Sequence, residues 1–266
     1  MNHGGDFHAY YLRRIGVAAP IAEALSRKGQ GSAFVALEGV AASAVVVGSS
    51  LTPQTASAPA VEPVVAPTVS SAPVQMPQPP AVGDLGSLRV AASRCTACAL
   101  SQSRMQVVFG VGSEHPDVLF IGEAPGEQED AQGEPFVGRA GQLLDRMLGA
   151  LSWSRDNVYI MNVIKCRPPG NRDPHPEEVH ACSHWFDAQW DLLKPRVVCL
   201  LGRVAAQRVL QTDATLASLR GRWHEYRGVP VWVTYHPAYL LRTPTGKAAV
   251  WQDLRRLAQR CEALKA

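Results

Sequence analysis

Four short apolar runs, each stopped by a glycine or a polar turn, constrain this chain more than any other feature. The first, Val118-Leu119-Phe120-Ile121, breaks at once into Gly122-Glu123-Ala124-Pro125-Gly126, which reads as a buried strand ending in a tight turn. The second, Val158-Tyr159-Ile160-Met161, runs into Asn162-Val163-Ile164-Lys165-Cys166-Arg167-Pro168-Pro169-Gly170-Asn171. Val197-Val198-Cys199-Leu200-Leu201 stops at Gly202, and the run over 229–234 ends in Tyr235-His236-Pro237-Ala238. Helical patterns separate the runs. Continuous apolar strands alternating with helices predict a parallel sheet covered on both faces, so the expected class is α/β. In such sheets the ligand crevice lies outside the carboxyl ends of the strands. The turns after Ile121 and Met161 are therefore expected to form two walls of one pocket.

The helical segments have local reasons. Residues 88–92 read as a helix leading into Cys95-Thr96-Ala97-Cys98. Over 140–151, Leu143, Leu144, Met147, Leu148 and Leu151 recur at three- and four-residue spacings and define one apolar face. Residues 176–193 start with Pro176, suited to a first turn, and Glu177 and Glu178 favour the positive end of the helix dipole. A helix from Gly202 through Leu210 and a last one over 247–263 complete the pattern. The 122–138 segment reads as a loop rich in Glu and Gly.

Upstream the pattern changes. Residues 51–85 scatter Pro53, Pro59, Pro63, Pro67, Pro73, Pro77, Pro79 and Pro80 among Ala, Val, Ser and Thr, which predicts an extended, semi-stiff linker. Residues 1–50 are expected to be a poorly defined extension. Within it, residues 7–15 have the pattern of a short amphipathic helix, and residues 1–85 are a possible attachment point for a protein partner. The folded domain is assigned to 86–266.

Charge and cysteine content narrow the class. Residues 1–85 hold four Lys/Arg against five Asp/Glu, which leaves 22 against 18 in the rest, a mild basic bias compatible with a polyanion. The most apolar segment, 33–48, is interrupted by Glu38 and is shorter than the roughly 20 residues of a membrane helix. No membrane association and no signal peptide are expected. Six cysteines in 266 residues do not make a disulfide scaffold. The C-x-x-C pair at Cys95 and Cys98, with Cys166 and Cys182 far downstream, supplies four thiols for a metal centre, which predicts a reducing cytoplasm. Cys199, inside an apolar strand, and Cys261, on the last helix, read as buried small residues. His180 and His184 share a helix face, but Cys182 is turned about 200° from each at about 100° per residue, so the three cannot converge. Spacing alone leaves zinc, an iron–sulfur cluster and a redox dithiol open.

Several motifs in sequence order carry a resemblance. They are the Cys95/Cys98 pair, Gly122-Glu123-Ala124-Pro125-Gly126-Glu127-Gln128-Glu129-Asp130, Pro135-Phe136-Val137-Gly138-Arg139-Ala140-Gly141, Asn162 through Arg172, Cys182, and Tyr235-His236-Pro237-Ala238. Residues 88–260 thereby resemble the family 4 uracil-DNA glycosylases, the iron–sulfur branch of that superfamily. The resemblance implies a three-layer α/β/α fold with a central, mostly parallel four-stranded sheet. It also implies hydrolysis of the N-glycosidic bond of deoxyuridine in DNA, and a structural [4Fe-4S] cluster on Cys95, Cys98, Cys166 and Cys182. The partner would be uracil-containing DNA, and a monomer is expected. The resemblance is silent on residues 1–85.

Roles follow from the chemistry of a flipped base. Phe136 is expected to lie against the uracil ring. The Asn162 amide can donate to O4 and accept from N3–H, a pattern that cytosine reverses. His236 is expected to donate to O2 as negative charge develops there, assisted by backbone amides of the Gly122, Glu123, Ala124 and Gly126 turn. The best-known branch of the superfamily carries an aspartate where this chain has Ala124. That leaves Glu123 and Glu129 as the carboxylates for orienting water, with Glu127 and Asp130 expected at the surface. The loop after His236, Ala238-Tyr239-Leu240-Leu241-Arg242, is expected to supply an apolar wedge with Leu240 as a DNA contact, and Arg167, Arg172, Arg242 and Lys247 are the expected phosphate contacts. Another branch traps itself on DNA through a histidine after the cluster cysteine; Arg167 to Asn171 contain none, so ordinary turnover is expected. The competing readings are a non-catalytic iron–sulfur DNA-binding or polymerase-associated module, and a redox or zinc protein.

Overall fold

Alternation along each central strand decides which helical layer a side chain meets. Leu119 and Ile121 pack into one core with Tyr159, Met161, Val198, Leu200, Val231 and Val233. Val118 and Phe120 point the other way, into a second core with Val158, Ile160, Val197, Cys199, Leu201 and Trp232. Both faces of the sheet are dry, which is why the strands are apolar runs rather than alternating ones.

The computed structural model describes residues 10, 12, 13, 16 and 83–265. In chain order its main elements are α1 (Leu85–Ser93), β1 (Val111–Gly112), β2 (Val118–Gly122), α2 (Glu127–Gln132), α3 (Arg139–Gly149), β3 (Tyr159–Asn162), α4 (Pro176–Leu193) and β4 (Val197–Leu201). Then come α5 (Arg203–Leu210), α6 (Leu216–Leu219), β5 (Trp223–Tyr226), β6 (Val229–Thr234), α7 (Pro237–Arg242) and α8 (Lys247–Ala263). The sheet order is β1-β3-β2-β4-β6-β5. Its four central strands are parallel, as expected from the apolar runs. Each edge adds one antiparallel strand that the pattern did not reveal. Helices α1, α4 and α5 cover one face, and α3, α7 and α8 the other, giving three layers.

The chain runs from β2 outward to β3, then crosses back over β2 to β4, so the direction of winding reverses between β2 and β4. Gly122 lies opposite Asn162, and Leu201 opposite Thr234. Four strand ends therefore finish along one rim, at the switch point where open sheets bind ligands.

Three segments differ from the sequence expectation. Residues 127–132 are helix α2 rather than loop, and α1 starts three residues early because the Asp84 side chain accepts from Ser87 N at 2.8 Å and caps it. Residues 237–242 are helix α7, with Pro237 at its first position. Upstream, Leu12 is fully buried among the side chains of the second core, so this residue of the extension belongs to the folded unit. Tyr10, Leu12 and Arg13 are helical, within the expected 7–15 helix. The linker expected over 51–85 lies, up to residue 82, outside the described residues. Among the described residues no helix is long and apolar enough to cross a membrane.

Candidate active site

The rim holds a cleft of about 460 Å³ lined by Glu123, Ala124, Gly126, Glu129, Phe136, Asn162 and His236, which come from four separate stretches of sequence. Its floor is built by close approach. A Cβ at Gly122 would stand 2.4 Å from Asn162 Oδ1 and 2.6 Å from Phe136 Cζ, so only glycine lets the three meet. The turn after β2 is laced to the end of β3 by Val163 N donating to Gly122 O (2.9 Å) and Ile164 N to Glu123 O (3.2 Å).

Asn162 is 2% exposed, and its Oδ1 is buried without a hydrogen-bond partner. A buried carbonyl oxygen left unpaired costs about 1–3 kcal/mol, which makes the atom a ready acceptor for a ligand N–H. Phe136, beside it, is also buried and has φ +57°, a left-handed conformation worth about 1–2 kcal/mol of strain in a non-glycine residue. Its carbonyl sits in a notch over α3: a Cβ on Gly141 would stand 1.6 Å from that oxygen.

The Phe136 and His236 rings lie 5.5 Å apart, tilted by 32°. His236 caps α7, its Nδ1 accepting from Ala238 N at 3.1 Å. Because Nδ1 accepts, the single proton of the neutral ring is on Nε2, the other ring nitrogen. Burial, and then the charge of Arg242, push the His236 imidazolium down to about 4, with Glu129 opposing. At neutral pH His236 is an uncharged donor.

The two expected carboxylates separate by role. Glu129 spends both oxygens on backbone amides: Oε2 accepts from Gly126 N (3.2 Å), and Oε1 from Val137 N and Gly138 N (2.9 Å each). It braces the turn against the Phe136 loop, and these three bonds leave it less acceptor capacity for a water than Glu123 has. Glu123 carries no such bonds. Burial, then neighbouring Asp173, push its carboxyl up to about 7 against the pull of Arg203 and Arg208. Asp173 also lines the cleft, with Oδ2 3.0 Å from Arg203 Nη2. The sequence reading missed Asp173, because its pairing with Glu123 spans fifty residues of chain and no local signal marks it. Ala124 lines the cleft and brings no carboxylate.

The expected DNA contacts divide. Arg242 is exposed at the cleft. Arg172 lines it too, but forks onto Glu178 at 2.8 and 2.6 Å. Arg167 donates to Asn171 Oδ1 at 2.8 Å. Leu240 cannot be the wedge: its side chain is 0% exposed, because α7 turns it into the second core. Lys247 is buried at the start of α8 and offers no free surface charge to a phosphate. Asp130, expected at the surface, is 2% exposed and accepts from Met105 N at 2.9 Å.

Cys95, Cys98, Cys166 and Cys182 line one small cavity together with Arg104 and Lys165. All four are free thiols, as are the buried Cys199 and Cys261. Burial pushes the Cys98 and Cys166 thiols up and Cys182 to about 12. Arg104 Nη1 lies 3.1 Å from Cys166 Sγ, and its Nη2 donates to Cys95 O at 2.6 Å. Among the described residues no three His, Cys, Asp or Glu side chains are grouped to hold a single metal ion. Lys165, 1% exposed, donates Nζ to Asn162 O at 2.8 Å and so ties this cavity to the cleft.

Residues 109–255 match the Uracil DNA glycosylase superfamily. The chain is 40% identical over 175 residues to the Type-4 uracil-DNA glycosylase of Archaeoglobus fulgidus, covering 63% of this chain and 88% of that protein. Against the Type-4 uracil-DNA glycosylase of Thermotoga maritima it is 44% identical over 151 residues, 56% and 79% of the two chains. Against the Type-5 uracil-DNA glycosylase of Pyrobaculum aerophilum it is 35% identical over 156 residues, 52% and 68%.

Proposed function

Since the chain belongs to the type-4 branch of the uracil-DNA glycosylase superfamily, we propose that it hydrolyses the N-glycosidic bond of deoxyuridine in DNA, releasing uracil and leaving an abasic site. The observation that carries the reading is the buried, unpartnered Oδ1 of Asn162 beside the Phe136 ring. The base, once out of the stack, lies against Phe136. Asn162 Oδ1 accepts N3–H of uracil, and its amide N–H donates to O4. Cytosine offers an acceptor at N3 and a donor at C4, so both contacts become mismatches at about 1–3 kcal/mol each.

As the bond breaks, negative charge gathers on O2 and positive charge on the sugar. His236 donates Nε2–H to O2, and the interaction strengthens as the charge grows. A neutral donor is suited to this, since it gains strength along the reaction without first binding the ground state through a full charge. Glu123 supplies the negative charge near the sugar and orients the water that attacks it. Glu129 holds the turn and the Phe136 loop in register. Arg242 contacts the phosphates beside the extruded nucleotide.

The four cavity cysteines fit a [4Fe-4S] cluster. Four thiols line one cavity with a guanidinium on one of them, the all-cysteine donor set that such a cluster takes. The metal would deprotonate thiols that burial otherwise keeps neutral. Bound there, the cluster would act as a structural clamp joining the turn after α1, helix α4 and the loop after β3. Such ligands call for a reducing compartment, and we assign the activity to chromosomal DNA in the cytoplasm. Residues 86–266 form the catalytic domain in this reading.

Asn162→Asp tests the recognition. Release is measured from matched oligonucleotides carrying one uracil or one cytosine. The variant should lose most of the wild-type preference for uracil; unchanged selectivity would remove Asn162 from base reading.

A further inference from the structure

We infer that Arg155 is a positioning residue for base recognition, holding the Phe136 loop by its carbonyls; the inference rests on the reading of Phe136 as the face that meets the base. Arg155 stands in the turn between α3 and β3, about twenty residues downstream of the loop it holds, and does not line the cleft. Its Nη1 donates to Pro135 O at 2.8 Å, and its Nη2 donates to Phe136 O. The guanidinium is itself fixed, because Nε donates to Asp145 Oδ1 at 2.8 Å and Asp145 belongs to α3. Two parallel donors on consecutive carbonyls are a contact that the planar fork of arginine supplies whole and a lysine ammonium supplies only in part.

The loop needs such a hold. Phe136 has φ +57°, and without a tether a residue with a Cβ relaxes toward negative φ and carries its ring with it. On the other side, Glu129 takes the Val137 and Gly138 amides. The loop is thus clamped by a cation on its carbonyls and an anion on its amides, with the Phe136 carbonyl seated over Gly141. Removing Arg155 leaves two carbonyls without their donors and frees the conformation that aims the ring. Because Arg155 touches neither base nor sugar, its effect must pass through Phe136.

The test uses two readouts on the full chain with Arg155→Ala, Arg155→Lys, Phe136→Ala and the Arg155→Ala/Phe136→Ala double variant. The first is the preference for DNA carrying 2′-fluoro-2′-deoxyuridine, which resists hydrolysis, over the same DNA with cytosine. The second is single-turnover uracil release. The expected result is that Arg155→Ala loses about tenfold in each, that Arg155→Lys recovers part of the loss, and that Arg155→Ala adds nothing once Phe136 is alanine. Multiplicative losses in the double variant, or Arg155→Ala within twofold of wild type, would overturn the inference. A lysine variant as impaired as alanine would overturn the carbonyl contact as its basis. Should Arg155→Ala fail to fold, Arg155→Lys carries the same cycle with Phe136→Ala. A wild type that prefers the uracil analogue but releases no base would sink the proposed reaction while the analogue preference still scores Arg155. A wild type that shows no such preference and releases no base would overturn both.

Discussion

Glu123 and Asp173 are where a single proton matters. In the proposed reaction Glu123 must be ionised to face a sugar cation, yet burial and Asp173 raise its carboxyl to about 7. Below that pH it carries a proton and above it a charge, so release should rise with pH and level off beyond about pH 8. His236 lies at about 4 and stays neutral across this range, so it adds no second limb. Glu123→Gln should flatten the rise and lower the plateau. Asp173→Asn removes a negative neighbour and should move the rise to lower pH. A wild-type profile that is flat from about pH 5.5 to 8.5 would contradict the assignment of Glu123. Little of this was legible in the sequence. Glu123 is visible as a carboxylate at a strand end, but its competition with Glu129 is decided by three backbone amides from two loops. A local clue existed, since Glu129 is the third residue of a helix that starts after Gly126, the place where a glutamate turns back to its cap.

At the scale of elements, the segments that were legible are those with a buried apolar run or one buried helix face. β4, β6, α4 and α8 have the expected bounds because an apolar run or a capped amphipathic stretch determines them locally. β5 was not legible because it is an edge strand whose residues alternate between exposed and half-buried, without an apolar run. Its one signal is the turn Arg227-Gly228, with φ +50° and +77°, a hairpin geometry. Helix α7 hid for a different reason: Pro237 reads as a break, whereas here it is the first helical residue and His236 its cap. Leu240 was misread with it, since the same helix turns that side chain inward. The packing of α3 against the Phe136 loop gives a prediction. Gly141→Ala would drive a methyl into the Phe136 carbonyl, so the loop must shift. Uracil release should fall at least tenfold while the melting temperature drops by a few degrees. Wild-type rates in Gly141→Ala would mean that the loop's seat on α3 is not needed for catalysis.

For the whole molecule, the N-terminal extension is more than an appendage at one point. Leu12 is fully buried against the α3 and α8 side of the sheet, on the face opposite α1, α4 and the cysteine cavity. Leu12→Ala should therefore cost about 2–5 kcal/mol of stability, the range for a buried leucine, and leave the rate of base release unchanged at temperatures where the protein is folded. Removing residues 1–82 should act in the same direction. A truncated protein that melts with the full chain, or one that is folded but inactive, would contradict this division of labour. The proposed function puts recognition at the strand ends, while the two cores carry stability. The cysteine cavity is joined to recognition through one buried contact, Lys165 to the Asn162 carbonyl. The central claim is chemical, and one measurement reaches it directly: single-turnover release of uracil from a single-uracil oligonucleotide by wild type and His236→Ala, with DNA binding measured on the same preparations. The account predicts an abasic product from wild type and a rate about 10²–10³-fold lower from the variant at similar affinity. DNA binding by wild type without any abasic product, or a His236→Ala rate equal to wild type, would contradict it.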